Sequence, residues 1–436
     1  NSPAAEVLTD DGYDYLIIAP DAYVDNLAPF ISLKESLGFA TRITPMSLIG
    51  SGATNIKNYI TNEYNTNNIR YVLLAGHISQ VSSYLGYYGD EFYSDYYYSL
   101  VEGDDDYPDI AVGRFSVKDE LQIDNMVSKC ISYESNIFDL KWIDNALLIA
   151  HLGDYPNYDV FQNVKEQVRY ADATPSGSYS VLYPEFTTAY GASRKDGGDR
   201  ARNADIVRAI DKGQRVVNYF GHGLEYCWGE MWNYDGETFS TDWVNSLSNG
   251  TMTPVIFSIA CLTNKLSFTS TFPCLGEAFT RSEEGAVAFL GATWLTVEYV
   301  NVSYDPKIFS LIFDEGVSNI GDATNVAAVD IITWWGLDGL RNARSYLWLG
   351  DPSLDVIYQQ AIQPPAPILV SPQDGEEFYT PPTPRYVTFE WEDLPTVDHY
   401  QITVDTDTNF INPLFDRDDL TSSRAKTDFN IGTVSY

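Results

Sequence analysis

Cysteine is scarce in this 436-residue chain, with four in all, so no disulfide framework can hold the fold and an apolar core must do so. Histidine is as scarce. His77, His151, His222 and His399 are the whole supply, which leaves few groups for acid–base chemistry near neutral pH. No stretch approaches the ~18 consecutive apolar residues of a membrane-spanning helix. The longest runs, Tyr15 to Pro20 and Val255 to Leu262, have the length of strands. Lysine and arginine number 26 against 61 aspartates and glutamates, a net charge of −35. That balance argues against nucleic-acid partners and against anionic membrane surfaces, and no membrane insertion is expected. No His and Cys cluster has zinc spacing, and neither a Gly-x-x-x-x-Gly-Lys-Ser/Thr phosphate loop nor a Gly-x-Ser-x-Gly elbow occurs. Zinc, nucleotide and serine-hydrolase chemistry drop out. The segment Asn1 to Ala5 has no basic and apolar leader, which fits a cytosolic protein or a mature exported form.

What the chain does have is a repeated strand-and-helix rhythm. Strand-length apolar runs occur at Tyr15 to Ala19, Ile69 to Gly76, Ile110 to Phe115, Ala146 to His151, Val216 to Gly221, Val255 to Cys261 and Ala286 to Gly291. Helical patterns lie between them at Leu27 to Gly38, Asn55 to Glu63, Asp119 to Ser135 and Val160 to Ala171. This alternation predicts an α/β fold with a mostly parallel sheet covered on both faces. A division near Trp142 suggests two side-by-side subdomains, 1–142 and 143–360. The prolines of Gln363-Pro364-Pro365-Ala366-Pro367 mark a linker. Beyond it, Arg385 to Trp391 and His399 to Val404 alternate in period two, as half-buried antiparallel strands do. Residues 361–436 are therefore expected to form a small all-β sandwich of the immunoglobulin or fibronectin type III kind, shorter than the ~100 residues such a domain usually takes.

Of the histidines, His222 has the most telling context. The run Val216 to Phe220 leads straight into Gly221-His222-Gly223, and catalytic groups of open α/β sheets gather beyond the carboxyl ends of strands. A second run, Pro254 to Ala260, ends in Cys261. A cysteine at such a place is, taken alone, more often a small buried hydrophobe. Paired with His222 at one sheet edge, it gains a base that can generate the thiolate, and acyl transfer follows as the reaction class. The backbone amides of Gly223 and Cys261 are then suited to hold an oxyanion. His77 and His151 also end strands and read as structural histidines. Cys130 and Cys274 read as packing residues, while Cys227 is a competing thiol close to His222.

Several segments together resemble the gingipain-type cysteine peptidases, relatives of caspases, legumain and clostripain. They are Tyr71 to Gly76, Asp109 to Phe115, Val217 to Gly223, Ala260-Cys261, Pro273-Cys274 with Glu277-Ala278, and Gly350 to Leu354, spread over residues 12 to 358. The resemblance implies a caspase-like fold in two subdomains followed by an immunoglobulin-like domain. It makes Cys261 the nucleophile and His222 the general base and acid of a secreted or cell-surface endopeptidase acting on protein or peptide substrates. It also sets Asp159 at the base of a pocket for Arg or Lys at P1, with Trp228 and Trp294 as aromatic walls. A helix-terminal carboxylate and plain core are the competing readings of these three. The family pattern departs at Leu152-Gly153-Asp154, where Asp154 is the candidate for orienting the histidine. No cofactor is needed for this chemistry. The resemblance implies structural calcium, for which Asp104, Asp106 and Asp109 are candidate oxygen ligands without EF-hand spacing. A transpeptidase using the same dyad, or a vestigial binding protein on a peptidase scaffold, are the alternatives.

Overall fold

Ten stretches, most of them apolar, become strands of one sheet: β1 (Tyr15–Ala19), β2 (Thr41–Pro45), β3 (Tyr71–Ala75), β4 (Ala111–Phe115), β5 (Asn145–Ala150), β6 (Glu185–Tyr190), β7 (Val216–Phe220), β8 (Val255–Ile259), β9 (Ala288–Ala292) and β10 (Tyr346–Leu349). The computed structural model describes residues 12–87, 91–135, 141–151, 160–170, 185–190, 201–229, 238–267 and 272–356. It also describes the tail segments 369–371, 388–391, 400–404, 415–420 and 424–426. The strand order is β2-β1-β3-β4-β10-β9-β8-β7-β5-β6. Every pairing is parallel except that of β10 with β9. Strands from both sides of residue 142 share this sheet. They join where Trp348 and Leu349 of β10 pair with Gly113 and Arg114 of β4.

The central strands are buried along their whole length, as a sheet covered on both faces requires. Val217, Tyr219 and Ile256 face a core closed by Ile206 and Ile210 of the helix Asn203–Asp211 and by Phe279 of the helix Leu275–Arg281. The opposite face carries Phe257, in edge contact with Phe309 of the helix Glu298–Phe313. A second core packs Leu16, Ile18, Val72 and Leu74 against Ile56 and Ile60 of the helix Ala53–Asn67.

Two of the segments that carried the family resemblance turn out to be buried polar anchors. Asp351 accepts from the Tyr15 hydroxyl at 2.6 Å and pairs with Lys34, whose ammonium also reaches Glu134 at 2.7 Å. Arg114 grips Asp95 with two nitrogens and donates to the carbonyls of Gly76 and Val81 at 2.7 and 2.8 Å. Buried charges are tolerated only when paired and hydrogen-bonded in this way.

Chain contacts define two units, Asn1–Asn136 with Leu140–Ile357, and Ile137–Asp139 with Tyr358–Tyr436. In the second unit the described strands Leu369–Ser371, Thr388–Trp391 and Arg424–Lys426 pair antiparallel, as do Tyr400–Val404 and Phe415–Leu420. Among the described residues no helix is long and apolar enough to cross a membrane.

Candidate active site

The site is built where two neighbouring strands end. β7 and β8 run parallel with Tyr219 opposite Ser258 and Phe220 opposite Ile259. His222 and Cys261 each stand two residues beyond that last pair, so the register carries both to the same edge of the sheet. The Gly221 amide still donates to the Ile259 carbonyl at 3.3 Å, which extends the pairing one step toward them.

Glycine is required on the histidine loop for lack of space. A Cβ on Gly223 would sit 2.6 Å from the Cys261 carbonyl oxygen and 2.9 Å from the Ala260 Cβ. One on Gly221 would sit 2.3 Å from the Cβ of His151. The His222 loop thus lies directly on the Cys261 loop. The Gly229 amide donates to the His222 carbonyl at 2.7 Å, and Gly223 faces Trp228 in the antiparallel pair that follows. Gly223 therefore occupies the alternate ladder position, at which no bonds form, and its amide is turned away from that pair.

His222 is half-buried. The rings of Phe161 and His151 meet it edge-on, at centroid distances of 5.3 and 5.6 Å, and the Tyr219 hydroxyl donates to its carbonyl at 2.6 Å. Beneath the same strand, Asn218 donates to Asp305 at 2.8 Å, and Asp305 is paired with Lys165 of the helix Val160–Tyr170. Burial lowers the Lys165 ammonium to about 8 and raises the Asp305 carboxyl.

Cys261 is half-buried, whereas Cys130, Cys227 and Cys274 are buried. Burial pushes the thiols of Cys130 and Cys274 well above the ordinary range, which disfavours the reactive thiolate. Cys227, the competing thiol, faces the Gly229 carbonyl at 3.5 Å inside the core. Immediately after Cys261, Leu262 adopts a left-handed backbone with φ of 61°, a conformation costing a branched side chain about 1–2 kcal/mol. Its amide donates to the Trp294 carbonyl at 3.2 Å, so the turn that presents Cys261 is held from the loop after β9. From that loop the Thr296 amide donates to the Cys261 sulfur at 3.3 Å, and the Thr296 hydroxyl oxygen stands 3.5 Å from it.

The remaining candidates fall in different places. Asp154 and Asp159, like His399, lie outside the described residues. Trp228 belongs to the core: it is 2 % exposed, stacks on Tyr219 at 4.7 Å and donates to the Ser258 hydroxyl at 2.8 Å. Trp294 is half-buried and lines a cleft of ≈ 230 Å³ with Leu85, Phe92, Tyr93, Lys265 and Thr293. The Lys265 ammonium sits 5.2 Å over its ring. The acidic turn has local duties. Asp109 accepts from the amides of Val101 and Glu102, both at 2.8 Å, Asp106 pairs with Arg344, and Asp104 is exposed. Among the described residues no three His, Cys, Asp or Glu side chains converge as a metal site. His77 is buried and reaches the Leu266 carbonyl at 3.3 Å; burial lowers its imidazole to about 4, which keeps it neutral. His151 lies beside His222.

Thr296, Asn301 and Asn342 escaped the reading of the sequence. Asn301 and Asn342 are buried on the inner faces of the helices Glu298–Phe313 and Leu337–Ser345. An amide at a helical position that the pattern turns toward the core was the available signal.

The description "peptidase family C25" belongs to the family model that matches residues 8–357. Gingipain R2 of Porphyromonas gingivalis is 26% identical over 359 residues, covering 78% of this chain and 45% of its own length. Gingipain R1 of Porphyromonas gingivalis is likewise 26% identical over 359 residues, covering 78% of this chain and 34% of its own. The chain spans less than half the length of these curated relatives. Among solved structures, the Arg-specific cysteine proteinase gingipain R aligns with a TM-score of 0.69 at 20% identity, covering 97% of this chain and 93% of that one. A structure described as a protease aligns with a TM-score of 0.67 at 17% identity, covering 97% and 96%. The α/β fold with its antiparallel tail is shared with both.

Proposed function

The chain belongs to peptidase family C25, and from that premise we propose that it is a secreted or cell-surface cysteine endopeptidase with Cys261 as nucleophile and His222 as general base and acid. The observation that carries this reading is the β7–β8 register, which sets His222 and Cys261 at equal distance beyond paired residues while Gly223 packs on the Cys261 carbonyl. His222 takes the proton from the Cys261 sulfur, and the thiolate attacks the scissile carbonyl carbon. The oxyanion that develops is received by the amides of Gly223 and Cys261. His222 returns the proton to the leaving amine, and water deprotonated by His222 hydrolyses the thioester.

Preference for Arg or Lys at P1 is part of the proposal. It draws on the relative described as Arg-specific and on a net charge of −35, which attracts basic segments of protein and peptide substrates. Asp159 is the proposed carboxylate of the P1 pocket and Asp154 the proposed orienting group. Structural calcium remains part of the reading, without an assigned site.

Fluorogenic peptides with Arg, Lys, Asp or Leu at P1 test it. Cleavage after Arg and Lys is expected in the wild type and is lost in Cys261→Ala. Cleavage only after another residue would overturn the P1 assignment, and undiminished cleavage by Cys261→Ala would overturn the nucleophile.

A further inference from the structure

The sulfur of Cys261 is met on one side by a chain of hydrogen bonds whose direction can be read from its far end. The Val297 amide can only donate, and it donates to Oδ1 of Asn342 at 2.8 Å. That fixes the Asn342 side chain with Nδ2 toward the Val297 carbonyl, at 3.0 Å, and toward Oδ1 of Asn301, at 2.9 Å. Oδ1 of Asn301 also accepts from the Tyr346 hydroxyl at 3.0 Å. Nδ2 of Asn301 is thereby turned to Thr296 and donates to its Oγ1 at 2.9 Å. With one lone pair taken, the Thr296 hydroxyl has two acceptors for its proton, the Cys261 sulfur 3.5 Å away and the Tyr346 phenol oxygen, and a thiolate is the stronger of the two. The Thr296 amide already donates to the same sulfur at 3.3 Å.

We propose that Thr296 is a catalytic residue that holds the Cys261 thiolate with two donors, its amide and its hydroxyl, and that Asn301 and Asn342 are positioning residues that keep the hydroxyl pointed at the sulfur. The proposal rests on Cys261 being the nucleophile. Both asparagines are buried, Asn342 fully, so neither side chain can swing into water without leaving polar partners unsatisfied. The helix Glu298–Phe313 begins two residues after Thr296, and the positive end of its dipole lies beside the sulfur, the polarity that favours a thiolate. The left-handed turn at Leu262, tied to the Trp294 carbonyl, fixes the sulfur against this loop.

Other groups face the pair. His222 stands on the neighbouring loop, two residues past the end of β7, and the Tyr346 phenol of β10 hydrogen-bonds Thr296 as well as Asn301. Burial raises the Tyr346 phenol well above its ordinary range, so it stays a neutral hydroxyl throughout the working pH range. Lys165 and Asp305 sit beneath the strand as a closed pair. In the protonated form the Cys261 thiol faces the Thr296 carbonyl at 3.8 Å, and ionisation replaces that weak contact with the hydroxyl donor, beside the amide that already donates.

The test is the pH profile of Cys261 alkylation by iodoacetamide, followed by the mass of the Cys261 peptide in the full chain. Wild type, Thr296→Val and Thr296→Ser are compared, with hydrolysis of the P1-Arg peptide measured alongside. Valine keeps the shape of threonine and removes the hydroxyl, while serine restores it. Thr296→Val is expected to move the midpoint up by about one pH unit, equivalent to ~10-fold slower alkylation below the midpoint, and Thr296→Ser to stay within about twofold of wild type. Profiles that overlay in all three proteins would overturn the role of Thr296 and leave the peptidase reading standing if peptides are still cleaved. A shifted profile in a protein that cleaves no peptide would overturn the peptidase reading and keep Thr296 as a thiolate donor.

Discussion

Gly223 shows how closely a single residue is constrained at this edge. A Cβ there would lie 2.6 Å from the Cys261 carbonyl oxygen, so only a missing side chain leaves room for that carbonyl, and the Gly223 amide is proposed to receive the oxyanion. Alanine in its place would push the two loops apart and press on the buried Ala260 and Thr263 side chains. Gly223→Ala is expected to lower kcat by about 10²-fold or more, the size of effect seen when one oxyanion donor is lost, with an unchanged far-ultraviolet circular dichroism spectrum. Wild-type kcat in that variant would show that the amide is not used. The place of His222 and Cys261 at one edge of the sheet was legible in the sequence, because each follows an apolar strand. Thr296 was not legible, because its role arises from a contact with a residue 35 positions away that only the folded loop after β9 creates. Trp228 shows the opposite limit. Its place five residues past Gly223 suggested a pocket wall, yet the antiparallel turn at Gly223–Leu224 and Cys227–Trp228 folds it back into the aromatic core.

Among elements, the sheet edge is held by what lies under it. Lys165 on the helix Val160–Tyr170, Asp305 on the helix Glu298–Phe313 and Asn218 on β7 form a buried cross-tie below the histidine loop. Lys165→Met would leave the Asp305 carboxylate buried with only the Asn218 amide as partner. A loss of about 3–5 kcal/mol in urea unfolding at pH 8 is expected. The sign of its pH dependence follows from the raised Asp305 carboxyl, which adds stability while protonated and loses it as pH rises through the folded-state value. The deficit of the variant should therefore shrink as pH falls from about 8 toward about 5; an equal deficit at both would contradict the cross-tie. Seven strands were legible within two residues because buried parallel strands read as apolar runs. The strands β2, β6 and β10 were missed. Thr41–Pro45 is polar and sits at the sheet edge, Glu185–Tyr190 is the opposite edge, and Tyr346–Leu349 follows a helix with no turn residues between.

Within the first unit, one ten-stranded sheet joins the two segments that the strand-and-helix pattern had divided near residue 142, and its seam is the polar anchoring of Arg114, Lys34 and Asp351 around β4 and β10. Sequence periodicity could suggest a division there because the strand that closes the seam, β10, arrives more than two hundred residues after β4. The same arrangement leaves four thiols in one chain with very different surroundings, three buried and one at the sheet edge beside an imidazole loop. The most direct test of the account uses that difference. The intact protein is treated with a peptidyl acyloxymethyl ketone carrying Arg at P1, and the modified residue is located by peptide mass mapping. A single adduct on Cys261, absent when a competing P1-Arg peptide is in excess, is the predicted result; an adduct on Cys227, Cys130 or Cys274, or none at all, would contradict it.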